Sequence, residues 1–128
     1  MSTHFQIELH GRVLVIQFLP PQLFEHLVLN ELDDELREAI REYEPRYAVF
    51  DFSRVSFCSS SIINALLRVR KRLARQGGQV AIAELNGGVL EAFKVLSLDR
   101  NVFVPFDTVQ AAVDHFLEED AWDDETKD

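Results

Sequence analysis

The sequence predicts an α/β fold, a mixed and mostly parallel β-sheet flanked by helices, with elements in the order ββαβαβαβα. Three observations predict it. Short apolar segments rich in β-branched and aromatic residues recur along the chain. Between them lie stretches whose apolar residues return every three or four positions, the period of an amphipathic helix. Strands alternating with helices favour a parallel sheet covered on both faces, and two opening strands joined by a tight turn supply one antiparallel neighbour.

Phe5, Ile7 and Leu9 alternate with Gln6, Glu8 and His10, and after Gly11-Arg12 the apolar run from Val13 extends through Phe18. This is the pattern of a hairpin entering a buried strand, which Pro20-Pro21 ends because proline donates no ladder hydrogen bond. A loop from Pro20 to His26 follows. Leu29, Leu32, Leu36, Ala39, Ile40 and Tyr43 then mark a helix with a charged opposite face, closed by Pro45. Tyr47 to Phe52 is a short strand. Ile63, Leu66, Leu67, Leu73 and Ala74 mark a second helix that Gly77-Gly78 caps. Val80 to Ala83 is the next strand, and Asn86 is placed to cap a third helix striped by Val89, Leu90, Phe93 and Leu96. Val102 to Val104 forms a last strand. Asp107 and Gln110 have the spacing of a capping box and open a final helix carrying Val109, Ala112, Val113, Phe116 and Leu117 on one face.

At 128 residues, 47% of them apolar, the chain is long enough to bury one core without disulfides or metal. Residues 1–117 read as that single domain. Residues 118–128 (EEDAWDDETKD) hold seven acids and one lysine, −6 of the total −9; apart from Trp122 they offer little to pack, and they read as a mobile tail. An acidic balance works against phosphate backbones, so nucleic acid is not an expected partner. No apolar run approaches the roughly 20 residues that cross a bilayer, and the polar N-terminus has no secretory pattern. Direct membrane insertion is not expected, and a cytoplasmic location is.

Chemistry-bearing residues are sparse. His4, His10, His26 and His115 share no ligand spacing with one another or with Cys58, the single cysteine, so no metal or cofactor is expected. No nucleophile stands with a base, and no catalytic residue is assigned. What remains is a serine cluster, Ser59-Ser60-Ser61, at the head of the second helix. A serine there caps unpaired N–H groups, a contribution of about 1 kcal/mol. Arg68, Arg72 and Arg75 share one side of the same helix with Arg70 and Lys71 beside them. In an acidic chain that basic face is either solvated or a docking patch for an acidic partner, and the protein's own tail is a further candidate.

The segment 49–67, VFDFSRVSFCSSSIINALL, resembles a STAS domain (sulfate transporter and anti-sigma factor antagonist). Its frame sets Ser59 where the family has an aspartate, Ser60 at the hydroxyl that antagonists present to a kinase, Ser61 after it, and Ile62 at the family's glycine. The Asn64-Ala65 continuation is similar to the stressosome scaffold branch. Order and spacing carry the likeness along nearly the whole chain.

The resemblance implies a STAS-type fold and an anti-sigma factor antagonist-like protein that regulates transcription by binding an anti-sigma factor or a serine kinase of the switch type, with homo-oligomers possible. It implies Ser60 as the phosphorylation candidate. Ser59, Ser60, Ser61, Asn64 and Arg68 form the expected partner surface, joined by Leu23 and Phe24, whose loop borders the binding face in STAS domains and whose other reading is as core plugs. A phosphate at Ser60 would bring about −1.5 to −2 charges to a helix start that tolerates an anion, while a partner packed there would be repelled. Two further functions fit the same family: a non-phosphorylated scaffold or adaptor, and a STAS subunit of a lipid-transport ATPase complex.

Overall fold

The computed structural model describes residues 4–19, 22–23, 26–95 and 103–126, the side chains of 22–23, 26–30, 57, 95 and 123–126 excepted. Strands β1 (Phe5–His10), β2 (Val13–Phe18), β4 (Tyr47–Asp51), β6 (Gln79–Ala83) and β7 (Val104–Phe106) form one sheet in the order β1-β2-β4-β6-β7. Only β1 runs antiparallel, and Val13, Tyr47 and Gln79 stand level at the amino ends of the three central strands. Two two-residue strands the sequence did not signal, β3 (Gln22–Leu23) and β5 (Phe57–Cys58), pair in parallel as a separate ribbon. The helices are α1 (His26–Tyr43), α2 (Ser60–Ala74), α3 (Gly87–Val95) and α4 (Val109–Thr126).

Because β2 and β4 are buried on both faces, their residues divide by parity into two cores. Leu14, Ile16, Ala48 and Phe50 meet Leu32, Leu36 and Ile40 of α1 and Ile62, Ile63, Leu66, Val69 and Leu73 of α2, with Val89 and Phe93 of α3 joining them. Val13, Val15, Tyr47 and Val49 meet Ala112, Val113 and Phe116 of α4, and Tyr47 stacks on Phe116 with centroids 4.6 Å apart. Each large side chain buried this way contributes about 1.5–3 kcal/mol. His4 ties the head of β1 to α1, its ring nitrogens lying 2.8 Å from Glu35 and 3.3 Å from Glu31. No helix among the described residues is long and apolar enough to cross a membrane.

Several local expectations shift. β7 begins where the expected last strand ends; Val102 lies outside the described residues, as does Leu96. The cap of α4 is Thr108, whose Oγ1 accepts from the Ala111 N–H at 3.1 Å, and not Asp107; Glu84 takes the Val109 N–H at 2.9 Å. The helix expected to stop at Leu117 continues to Thr126. Asp120, within the segment assigned to a tail, pairs with Arg12 and Arg46. Tyr43, placed in the apolar stripe of α1, is 41% exposed, because the helix ends there past the edge of the core. Ala74 is exposed, and Ile62, Ala65 and Val69 take the buried positions of α2 instead.

Candidate functional site

The site forms at the carboxyl ends of the parallel strands, where one strand must turn back into a helix. Asp51 ends β4 with its side chain on the α4 face and only 7% exposed. Its Oδ1 accepts the Ser53 N–H at 2.8 Å, and Gln17 donates to Ser53 Oγ at 3.2 Å. This Asx turn fixes the exit of the chain from the sheet. Phe52 points to the other face and continues a line of rings: Phe18 lies 5.4 Å from Phe52, Phe52 5.7 Å from Phe93, and Phe93 5.6 Å from Phe103. The rings make a rigid apolar floor.

Above that floor Asn86 joins two elements. Its Nδ2 donates to the Val55 carbonyl and its Oδ1 accepts from the Val89 N–H at 3.0 Å, so it both caps α3, as its position in the sequence indicates, and holds the loop that leads to the serines. β5 then sets Cys58 level with Leu23 of β3. That pairing brings the loop backbone before α1 directly beside the serine cluster. The Leu23 side chain and all of Phe24 lie outside the described residues.

Burial pushes the Cys58 thiol from its ordinary 9.0 up to about 12, so this sulfur serves as packing and not as a nucleophile. The unfolded chain loses the thiol proton above pH 9 while the folded chain keeps it, so folding stability falls as pH rises from 9 toward 12. Cys58→Ala removes the effect. In urea unfolding, the stability gap between wild type and Cys58→Ala should narrow by about 1.4 kcal/mol between about pH 8 and about pH 10; an unchanged gap would show that the unfolded and folded thiols titrate alike.

The three serines have different roles. Ser59 is the N-cap, extended at φ −80° and ψ 160°, its Oγ accepting from the Ile62 N–H at 3.4 Å. Its hydroxyl is engaged by the fold. Ser60 and Ser61 occupy the first two helical positions and are exposed. At 100° per residue, Ser60, Ser61, Asn64, Arg68, Lys71 and Arg75 fall within one narrow sector of α2. They form a polar stripe that opens on hydroxyls and ends on cations. Arg68 reaches across to α1, where its Nε donates to Asp33 at 3.1 Å, and Asp33 also holds Arg37 at 3.5 Å. A cleft of about 290 Å³ between α1 and α2 is lined by Asp33, Arg37, Arg68 and Arg72.

Of the expected surface, Ser60, Ser61, Asn64 and Arg68 share one side of α2, and Ser59 stands just before it as the cap. Sequence reasoning missed Asp33 and Arg37, whose four-residue spacing is the available signal, and the β3–β5 pairing, for which two residues carry none.

None of the curated proteins compared with the sequence matches it. Among solved structures, the fold is similar to the anti-sigma factor antagonist SpoIIAA in its unphosphorylated form, at 22% identity and TM-score 0.76, covering 89% of this chain and 96% of that one. The Bacillus cell fate determinant SpoIIAA in its phosphorylated form is similar at 21% identity and TM-score 0.66, over 88% and 98%. An anti-sigma-factor antagonist (STAS) domain protein from Planctomyces limnophilus shares 25% identity at TM-score 0.73, over 84% and 92%. These likenesses cover 84% to 89% of this chain, and since the STAS domain family model matches residues 4–112, this chain belongs to the STAS domain family.

Proposed function

We propose that the chain is an anti-sigma factor antagonist-like protein that acts in the cytoplasm by binding and not by turnover. A switch kinase or anti-sigma factor docks at the carboxyl end of the sheet, across Ser59–Ser61, Asn64 and Arg68, with the loop through Leu23 and Phe24 beside them. Ser60 is the phosphorylation point. One observation carries this reading: Ser59 uses its hydroxyl to cap α2, while Ser60, one residue on, is exposed at the first helical position. A phosphate there meets unpaired N–H groups and the positive end of the helix, so the fold tolerates it. Arg68 stands two turns along, about 12 Å by helical rise, too far to neutralise it at once. A partner covering this surface therefore meets about two new negative charges.

The cognate kinase with ATP should raise the intact mass by about 80 Da. Ser60→Ala should abolish the gain and Ser61→Ala should keep it. Ser60→Glu should weaken partner capture at least tenfold. A gain that survives in Ser60→Ala overturns the assignment.

The chain's own motif favours a second reading. Serine at 59 and isoleucine at 62 replace the aspartate and glycine of the phosphorylated members, and a scaffold or adaptor that binds without modification accounts for both. Stable capture of the partner with no mass gain under kinase and ATP selects it.

A further inference from the structure

The opposite pole of the molecule, at the amino ends of β2, β4 and β6, carries a second surface. It is built from the Gly11-Arg12 hairpin turn, the end of α1, the turn after α2 and the last turns of α4. Arg12 holds it together: its carbonyl accepts from both Arg46 and Tyr47 N–H at 3.0 Å, and its guanidinium pairs with Asp120. Of the five large apolar side chains exposed among the described residues, four (Leu9, Tyr43, Leu117 and Trp122) lie at this pole, and Trp122 is 65% exposed. An open groove of about 730 Å³ runs between α4 and the turn after α2, lined by Tyr47, Gly77, Gln79, Glu118 and Trp122. Apolar exposure of this kind marks an interaction surface.

The charges say what covers it. α4 has no basic residue in its last turn and ends in acids, although the C-terminal end of a helix is the negative end of its dipole and favours cations. Asp120 is compensated by Arg12 and Arg46, and Glu119 lies 3.4 Å from His115. Glu118 faces solvent. At the same pole, on the other face of the sheet, stands the basic end of α2, where Lys71 and Arg75 are exposed and form no ion pair with a described residue. Acid on one face and base on the other, at one end, suit an isologous two-fold contact, since a two-fold axis across the pole sets the acid of each copy against the base of the other.

We propose that this pole is a self-complementary interface at which two copies of the chain pair, the acidic end of α4 in one against Lys71 and Arg75 of the other, with Trp122 of each covered. It goes beyond the serine surface and leaves that surface open. Ser60 and Arg75 are separated by the length of α2, about 22 Å by helical rise.

Sedimentation velocity on the full chain, from about 1 to about 100 µM in about 50 mM salt, should show the mass rising from 14.7 kDa toward twice that value. About 500 mM salt should weaken the association at least tenfold. Emission of Trp122, the one tryptophan, should shift to shorter wavelength in step. Glu118→Lys with Glu119→Lys, and Lys71→Glu with Arg75→Glu, should each give a monomer with unchanged circular dichroism. Mixing the two should restore a pair, because every contact is then opposite in sign again. Trp122→Gln should weaken pairing without altering charge. Three results each overturn the proposal: a wild type that stays monomeric at the highest concentration, charge variants that do not complement, and association that proceeds past two copies. Capture of a different protein at this pole by a monomeric wild type would assign the surface to that partner instead.

Discussion

Gly78→Ala should cost about 3 kcal/mol or more, enough to remove much of the stability of a domain whose total lies in the range of about 5–15 kcal/mol. A Cβ at Gly78 would lie 1.9 Å from the Arg46 carbonyl oxygen and 3.0 Å from that of Leu73. Neither obstacle is a side chain that can rotate away. Gly78 donates its N–H to Leu73 at 2.9 Å, and Gly77 before it, at φ +77°, donates to Ala74 at 3.1 Å. The pair closes α2 as a Schellman motif while pressing it against the start of β4. Arg46 cannot retreat, because its N–H and that of Tyr47 both bind Arg12. Relief must separate β6 from β4 at Tyr47 and Gln79, their first level pair. Gly87→Ala, where an added Cβ meets nothing within 4 Å, is the control and should change stability by less than about 0.5 kcal/mol. Urea midpoints measure both, and equal midpoints would show that the turn yields.

Ile62→Gly, the change that restores the family's glycine, should destabilise by about 3–5 kcal/mol. Ile62 is fully buried in the core between sheet and helices, so the change removes a whole aliphatic side chain, costing about 2–5 kcal/mol at truncation to alanine, and adds the entropy penalty of glycine in a helix. Ser59→Asp, the other restoration, should stay within about 0.5 kcal/mol, since aspartate caps a helix as well as serine does. The two departures are therefore of different kinds. Residue 62 is committed to packing and residue 59 is exchangeable. An Ile62→Gly variant as stable as wild type would show that the core closes over the vacancy.

The sequence announces an element when burial and period agree. Tyr47 to Phe50 is apolar on both faces because two cores flank it, and a continuous run is the form such a strand takes. Asn86 is identifiable as a cap because its side chain acts three residues away, within the range of local pattern. The serine cluster shows itself in the same way, but which serine is committed to the cap is decided by the entry angle from β5, a strand with no periodicity of its own. The start of α4 turns on Glu84, a residue 25 positions away that takes the Val109 N–H. The end of α4 escapes for a related reason: the apolar stripe stops at Leu117, and what anchors the next turn is an ion pair to Arg12, 108 residues earlier.

β7 has three residues, and Pro105 stands in its middle, level with Ile82 of β6. An incoming chain finds there no N–H at that position and too little length to settle into register, so β-augmentation is closed at this edge. β1, the other edge, places Gln6, Glu8 and His10 between its apolar residues, and charge on an edge strand discourages the same addition. In the binding proposed above, recognition then falls to side chains and helix ends and not to backbone shared along these two edges. Because backbone pairing is nearly indifferent to sequence and side-chain recognition is not, a single exposed substitution can redirect the domain to a different partner while its fold stays as it is.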